Sequence, residues 1–288
     1  MTSTISMDFH LADGRAYSLG RSNAAASRLN YQFYLWKESF GFNLHPTIAA
    51  SLPTPNPCVA DIASGTAIWL LDLAPELPNA TFEGLDMSMA VAPPPERLSN
   101  NITLRQWNLH DNVPADLVEK FDVIHLRLLV LVVENSDPTP IIRKVSRMLK
   151  PGGWIQWDDY NYQGTHVVKV NPAQKTPALE QLCAFLFSGG RQDWVVELPR
   201  IYEREGFEKA QIFHYRPRRE MARANGELHL STIEEFAARL LEDGKVQAGN
   251  ELMGLVRQGL VEAGAGAAMS TPRAVSIGRK KDPNGVKL

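Results

Sequence analysis

Residues 59–67 read VADIASGTA, a short apolar run that ends in an acidic side chain and continues through small residues. The run from Cys58 to Ile62 predicts a buried strand, and the apolar residues Ile68, Leu71 and Ala74 predict a helix after it. Small side chains in the turn between them let the backbone approach a ligand closely, and a helix begins with unpaired N–H groups. The stretch therefore predicts a strand, a tight turn and a helix that form part of a ligand site.

The turn also limits which ligand can bind. It contains one glycine, Gly65, so it is not the G-x-G-x-x-G pattern of dinucleotide sites, and it lacks the lysine of a P-loop. These departures favour a cofactor without phosphates. Asp86 follows Gly65 by 21 residues, close to the spacing at which a carboxylate meets ribose hydroxyls in a strand–helix–strand unit. A carboxylate suits two vicinal hydroxyls and would repel a 2′-phosphate.

Strands and helices alternate outward from this stretch. The patterns predict strands at 81–85, 102–107, 121–126, 154–157, 207–215 and 273–278. They predict helices at 22–40, from Thr139 as N-cap to 149, at 177–188, at 193–205, from a capping box at 231–234, and at 250–262. This alternation is typical of a parallel sheet with helices on both faces. Ligands bind at the carboxyl ends of such strands, where Asn108, Leu109 and His125 also fall.

Composition narrows the class of protein. The 288 residues are 44% apolar and 22% charged, which indicates a globular chain and excludes collagen-like and mostly disordered ones. The formal net charge of −2 disfavours nucleic acid as a partner. The longest apolar run, Leu128 to Val133, is too short to cross a membrane. Two cysteines fit a reducing compartment, and residues 1–15 lack a secretory apolar core, so we expect a cytoplasmic protein.

Five motifs occur in an order that resembles the motif series of class I S-adenosylmethionine-dependent methyltransferases. They are VADIASGTAIWLLDLA (59–74), FEGLDMS (82–88), RQWNLH (105–110), FDVIHLRLL (121–129) and LKPGGWIQWDD (149–159). The segment 17–46 also resembles the fungal secondary-metabolite branch of this family. The resemblance covers residues 17–160 and the final strand. It implies a Rossmann-like, seven-stranded, mostly parallel sheet whose last strand is antiparallel, with S-adenosylmethionine bound over the first strand ends.

The resemblance also assigns roles to residues. It implies that Asp61, Ala63, Ser64 and Gly65 surround the methionine part of the donor, that Asp86 holds the ribose, and that Met87, Asn108 and Leu109 contact the adenine. The backbone at His125 would meet the amino-acid end, and Tyr17 and Arg21 would close over its carboxylate. Ala63 and Ala67 stand where the family pattern has glycine, and we expect a helix to accept Ala67.

Methyl transfer depends mainly on alignment of the nucleophile, and it needs a general base only if the methyl acceptor loses a proton as it reacts. We name His125 as the candidate catalytic base, with His110, Asp158, Asp159 and Tyr160 as alternatives. The paired acids also suit a hard cation, but strand-end acids that face the pocket mouth explain them better, so we predict no metal.

We expect residues 1–14 to be a flexible tail and residues 15–288 to form a single domain. Within it, 15–56 would be a helical cover and 216–270 a helical lid insertion. The aromatic residues of the helix at 22–40 and of the helices at 177–188 and 193–205 suggest an apolar or aromatic small-molecule acceptor, and the oligomeric state stays open.

Three functions remain open at this stage. The first is methyl transfer to an oxygen or nitrogen nucleophile of a small secondary metabolite. The second is a repurposed cyclase or pericyclase with the same fold, which Ala63, Ala67 and the lack of a clear base would suit. The third is a non-catalytic regulator of secondary metabolism of the kind that the family's nuclear group includes.

Overall fold

The computed structural model describes Leu19, residues 22–52 and residues 55–283. The predicted tail (1–14), Tyr17 and Arg21 therefore lie outside the described residues. The strands are β1 Cys58–Ile62, β2 Thr81–Asp86, β3 Ile102–Gln106, β4 Phe121–Arg127, β5 Leu149–Tyr160, β6 His166–Lys169, β7 Phe207–Tyr215, β8 Ala267–Ser270 and β9 Arg273–Lys280. The α-helices are α1 Asn23–Phe40, α2 Pro46–Ala49, α3 Ile68–Leu73, α4 Thr139–Met148, α5 Pro177–Phe187, α6 Trp194–Arg204, α7 Ala222–Glu242 and α8 Val246–Gly264.

Seven strands form one sheet in the order β3-β2-β1-β4-β5-β9-β7. The pairs among β1 to β5 are parallel, and β9 runs antiparallel to both β5 and β7. The predicted Rossmann-like, mostly parallel sheet with an antiparallel last strand is confirmed. The strand order reverses between β1 and β4, which is where open α/β sheets bind their ligands.

Helices cover both faces of the sheet because the buried strands carry apolar side chains on both sides. On one face, Ala60 and Ile124 pack in a cluster with α4 and α6. On the other face, Val59 and Val123 pack in a cluster with α1 and α3. The residues that alternate along β1 and β4 therefore bury opposite faces of the same strands.

Helix α1 confirms the helix predicted at 22–40. The Ser22 hydroxyl accepts a hydrogen bond from the backbone N–H of Ala25, and Gly41 ends the helix with φ of 75°. The indole N–H of Trp36 donates to the hydroxyl of Tyr160 at 3.1 Å, which fixes α1 against the end of β5.

Two predicted helix starts are wrong. Ser231 to Glu234 do not cap a helix, because α7 already begins at Ala222 and the Thr232 hydroxyl bonds back to the Leu228 carbonyl inside it. Thr139 is the first helical residue rather than the N-cap, and its N–H donates to the Asp137 side chain. In the first place residues 222–230 are already helical, and in the second Pro138 is the N-cap. The residue types therefore mark a start that lies inside the helix.

The second sheet was not predicted. The short antiparallel strands β6 and β8 pair outside the main sheet and pack with α5, α7 and α8 in a cluster of their own. No helix of the described chain is long and apolar enough to span a bilayer.

Candidate active site

A cavity of about 520 Å³ lies at the carboxyl ends of β1, β2 and β4, where the strand order reverses. Nine of the predicted site residues line it. They are Asp61, Ala63, Ser64, Gly65, Asp86, Met87, Asn108, Leu109 and His125. Strands β1, β2 and β4 are neighbours in a parallel sheet, so residues far apart in sequence reach the same edge.

The turn after β1 depends on three left-handed residues. Ala63, Gly65 and Ala67 have φ values of 59°, 54° and 58°. Only glycine adopts this conformation without a steric penalty from Cβ, which explains why the related pattern carries glycine there. Ala67 is not an ordinary helical residue but the left-handed residue that precedes α3, so the expectation that a helix accepts it without strain is wrong.

Asp86 connects this turn to the end of β2. Its carboxylate accepts hydrogen bonds from the backbone N–H groups of Gly65 and Ser88, each at 2.9 Å. Gly84 of β2 lets β3 and the turn after β1 approach closely. A Cβ at this position would lie 2.5 Å from the side chain of Leu104 and 3.1 Å from the Ser64 hydroxyl. The carboxylate is therefore held in a fixed position at the edge of the cavity.

The third strand supplies an apolar surface with one amide. Leu109 and Trp107 line the cavity together with Met87 from the second strand end. The carbonyl oxygen of the Asn108 side chain accepts a hydrogen bond from the N–H of His110 at 3.0 Å. The ammonium of Lys144 donates to the Leu109 carbonyl at 2.8 Å, which holds the loop in place.

His125 is buried between two carboxylates. Its Nδ1 lies 2.7 Å from Asp61 and its Nε2 lies 3.0 Å from Asp158, while the indole of Trp69 stacks on the ring at 3.9 Å. Burial alone would lower the pKa of His125, but the two carboxylates outweigh burial and raise it above 6.5. An imidazolium that donates from both nitrogens cannot accept a proton, so this geometry does not support His125 as the general base.

Asp158 and Asp159 do not face the pocket mouth, because both side chains are fully buried. Burial would raise the pKa of Asp158, but Arg127 and His125 hold it below 3.8. Burial raises the pKa of Asp159 to about 7, against the hydrogen bonds from the N–H groups of Tyr160 and Leu129. No group of three His, Cys, Asp or Glu side chains within the described ranges is placed to hold a metal ion.

Arg127 is a cavity residue that the sequence analysis missed. Its guanidinium donates to Asp158 from Nε at 3.2 Å and from Nη2 at 2.7 Å, and it lies over the rings of Phe33 and Trp36. The RQWNLH and FDVIHLRLL motifs both contain an arginine near a strand end. Nothing in either pattern separates this arginine from Arg105, which pairs with Asp116 on the surface.

The cover of the cavity comes from α1 and from the segment after β4 (residues 128–134), not from α7 or α8. Leu29, Gln32 and Phe33 of α1 line it, whereas no residue of 216–270 does. The predicted lid insertion is therefore not over this cavity. Its helices pack on α5 and the second sheet, and the guanidinium of Arg28 reaches Glu235 of α7 at 2.7 Å.

Comparison with known proteins agrees with this geometry. Residues 60–155 match the family model of a methyltransferase domain. The matched residues are a third of the chain and include the strand ends that border the cavity. Among curated relatives, the methyltransferase grgD of Penicillium sp is 38% identical over 111 residues, which are 35% of this chain and 38% of that one. The N-methyltransferase tcpN of Claviceps purpurea is 29% identical over 153 residues, 52% of this chain and 53% of that one.

These relatives are fungal methyltransferases, which is the branch that the sequence motifs resemble. The chain spans about half or less of the length of the curated relatives that it matches. Among solved structures, it is similar to phosphoethanolamine N-methyltransferase 2 of Haemonchus contortus, with 15% identity and a TM-score of 0.49 over 91% of this chain and 59% of that one.

Proposed function

We propose that this chain transfers the methyl group of S-adenosylmethionine to an oxygen or nitrogen nucleophile of a small organic secondary metabolite. The observation that carries the proposal is the hydrogen bond between Asp86 and the turn at Gly65. It places a fixed carboxylate and a close-approach turn on one cavity, which is the pair of features that a ribose and an amino-acid tail require.

The residues of the cavity fit this donor. The Ser64 hydroxyl is buried without a hydrogen-bond partner in the described part of the chain, so a ligand that reaches the turn would satisfy it. Asp86 would accept the ribose hydroxyls, and the apolar side chains of Met87 and Leu109 would flank the adenine. When bound, the donor supplies a methyl group on a sulfonium, which is already activated for displacement.

Asp61 has a second role in this proposal. Its carboxylate is held by His125 at 2.7 Å and faces the amino-acid end of the donor, where an ammonium would meet it. His125 thus acts as a positioning residue, since it fixes Asp61 and carries the compensating charge. Tyr17 and Arg21 stay proposed contacts of the donor carboxylate.

The chain's remaining task is to align the methyl acceptor and exclude water. The side chains of α1 and of the segment after β4 form the part of the cavity beyond the donor residues. His110 and Glu134 are the exposed titratable pair at its rim, with Nδ1 and Oε1 3.9 Å apart. A neutral amine would need no base during transfer, whereas a phenol would need one.

The test has two stages. Isothermal titration calorimetry with S-adenosylmethionine and S-adenosylhomocysteine measures donor binding. Incubation with the donor and candidate metabolites then measures the product mass. A gain of one methyl with release of S-adenosylhomocysteine supports the proposal, and no donor binding at millimolar concentration contradicts it.

A cyclase or pericyclase is the second candidate, and the position of His125 favours it. Both ring nitrogens are already bonded to carboxylates, so the centre of the cavity offers no imidazole base. The same incubation separates the two functions, because a cyclase yields an isomer of unchanged mass whether or not the donor is bound.

A non-catalytic nuclear regulator remains the third candidate function. We propose instead that the chain is cytoplasmic. A formal net charge of −2 supports a small organic acceptor over nucleic acid. Imaging of a tagged chain and pull-down from the same cells test this: nuclear enrichment with a stable partner would support the regulator.

A further inference from the structure

The proposed function assigns two roles to the lining of this one cavity. The donor part consists of the strand ends and turns already described. The acceptor part is formed by Leu29, Gln32 and Phe33 of α1 and by the segment 127–134. Apart from Arg127, Gln32 and Glu134, the side chains of the acceptor part are apolar. A ligand there would meet few polar groups, so each one has a large effect on which ligand is accepted.

Arg127 is the cation of the acceptor part, and its position is fixed. Nε and Nη2 both donate to Asp158, and the guanidinium carbon lies 5.8 Å from the ring centre of Phe33 and 5.3 Å from that of Trp36. The third nitrogen, Nη1, donates to no described residue, yet it is not among the buried unpartnered atoms. Arg127 lines the cavity and its Nε and Nη2 are bonded to Asp158, so Nη1 is the nitrogen that can donate to a ligand there.

The surrounding charges decide what Nη1 can bind. The Arg127 charge is already balanced by Asp158, and the His125 charge by Asp61. Asp86 and Glu134 add negative charge to the cavity surface. A carboxylate placed next to Arg127 would lose its hydration and be repelled by Asp86 and Glu134, so it would gain little binding free energy. A neutral oxygen needs only the hydrogen bond from Nη1, and a bond to a charged donor is stronger than one between neutral groups.

We propose that Arg127 determines the substrate class by donating a hydrogen bond from Nη1 to a neutral carbonyl oxygen of the methyl acceptor. The inference rests on the proposed function, because it takes the acceptor part to be the place where the methyl acceptor binds. The apolar side chains around Arg127 hold the rest of that molecule, so the acceptor is an apolar compound with a carbonyl group.

Three fragments of similar size test this inference: acetophenone, ethylbenzene and benzoate. Their affinities are measured by ligand-observed saturation-transfer NMR, with and without saturating S-adenosylhomocysteine. We expect acetophenone to bind roughly fivefold or more tighter than ethylbenzene, because it gains one charged hydrogen bond. We expect benzoate to bind no tighter than acetophenone. Equal binding of acetophenone and ethylbenzene, or a preference for benzoate, would overturn the inference.

Two variants test whether Arg127 causes the preference for acetophenone. Arg127→Met keeps most of the apolar stem and should remove the preference for acetophenone. Arg143→Met is the matched control, since Arg143 pairs with Glu205 on the surface away from the cavity, and it should leave the preference intact. If Arg127→Met does not fold, the fragment ranking in the unaltered chain still decides. A preference that survives in folded Arg127→Met overturns the inference.

The two proposals fail in different ways. If S-adenosylhomocysteine does not bind by calorimetry, the proposed function fails, while the fragment ranking without it still tests Arg127. If it binds and no fragment preference is seen, the proposed function stands and only the role of Arg127 is rejected.

Discussion

The backbone N–H of Gly65 donates a hydrogen bond to the carboxylate of Asp86, with the nitrogen 2.9 Å from Oδ2. The bond joins the turn after β1 to the end of β2, so the two parts of the proposed donor site cannot move independently. Asp86 therefore has two functions: it holds the turn, and it presents its carboxylate at the cavity edge.

Asp86→Ala should weaken S-adenosylmethionine binding by roughly tenfold or more, because both the ribose contact and the support of the turn are lost. Calorimetry measures the affinity, and thermal unfolding should show a drop of about 1 kcal/mol from the lost hydrogen bonds. The matched control is Asp111→Ala, an exposed acid of the neighbouring loop. Unchanged donor affinity in Asp86→Ala would contradict the assignment of this residue.

Ala63→Gly should stabilise the protein by about 0.5–1 kcal/mol, because glycine adopts the left-handed φ of 59° without the Cβ penalty. Ala63 is exposed on the cavity, so little packing is lost with its methyl group. Urea unfolding measures the change. Ala238→Gly, at an exposed right-handed position of α7, should instead lose about 0.5–1 kcal/mol. Destabilisation by both substitutions to the same extent would argue against strain at Ala63.

His125→Gln should destabilise the fold by roughly 3–5 kcal/mol, because it removes the cation between two buried carboxylates. The pKa of His125 is raised above 6.5 in the folded chain. The stabilising contribution of protonated His125 is therefore complete below pH 6.5 and is lost as the pH rises through the folded-state pKa. Urea unfolding from pH 6 upward should show this loss in the unaltered chain and in the exposed-site control His214→Gln, but not in His125→Gln. Identical pH profiles for the unaltered chain and His125→Gln would refute the prediction.

Asp159→Asn should change the pH dependence of stability below neutrality. Burial raises the pKa of Asp159 from 3.8 to about 7, so ionisation costs the folded state more than the unfolded one. This destabilisation by ionised Asp159 is absent below pH 3.8, grows as the pH rises from about 4 to about 7, and is constant above pH 7. The unaltered chain should lose stability across that window relative to Asp159→Asn. Parallel unfolding curves for the two proteins, with Asp111→Asn as the exposed control, would show that Asp159 does not titrate there.

The bounds of the sheet strands were largely predictable because a strand's burial pattern is local. The predicted strand at 207–215 coincides with β7, and the run from Cys58 to Ile62 coincides with β1. The residues of β5 before Trp154 were assigned to a turn, since Pro151, Gly152 and Gly153 are typical of one. The structure pairs Leu149 with Phe121 across a bulge instead, and pairing to a neighbour overrides the local preference.

Helix starts and the second sheet were less predictable. The capping box at 231–234 has the right residue types, but tertiary packing of α7 on β8 and α8 extends the helix back to Ala222. Strands β6 and β8 have four residues each, too few to show a period, and they are stabilised by packing on α5 and α7 rather than by their own sequence.

By itself, the sequence determined the parallel sheet, the turn at Gly65 and the position of Asp86, because each follows from local period, side-chain size and spacing along one strand–helix–strand unit. Only the tertiary structure decided the state of His125, whose two carboxylate partners are 64 and 33 residues away. It also decided the left-handed backbone of Ala67 and the exposure of Arg127 to the cavity. These properties depend on which strands become neighbours, and a charge or a backbone angle set by distant neighbours leaves no periodic signal in the chain.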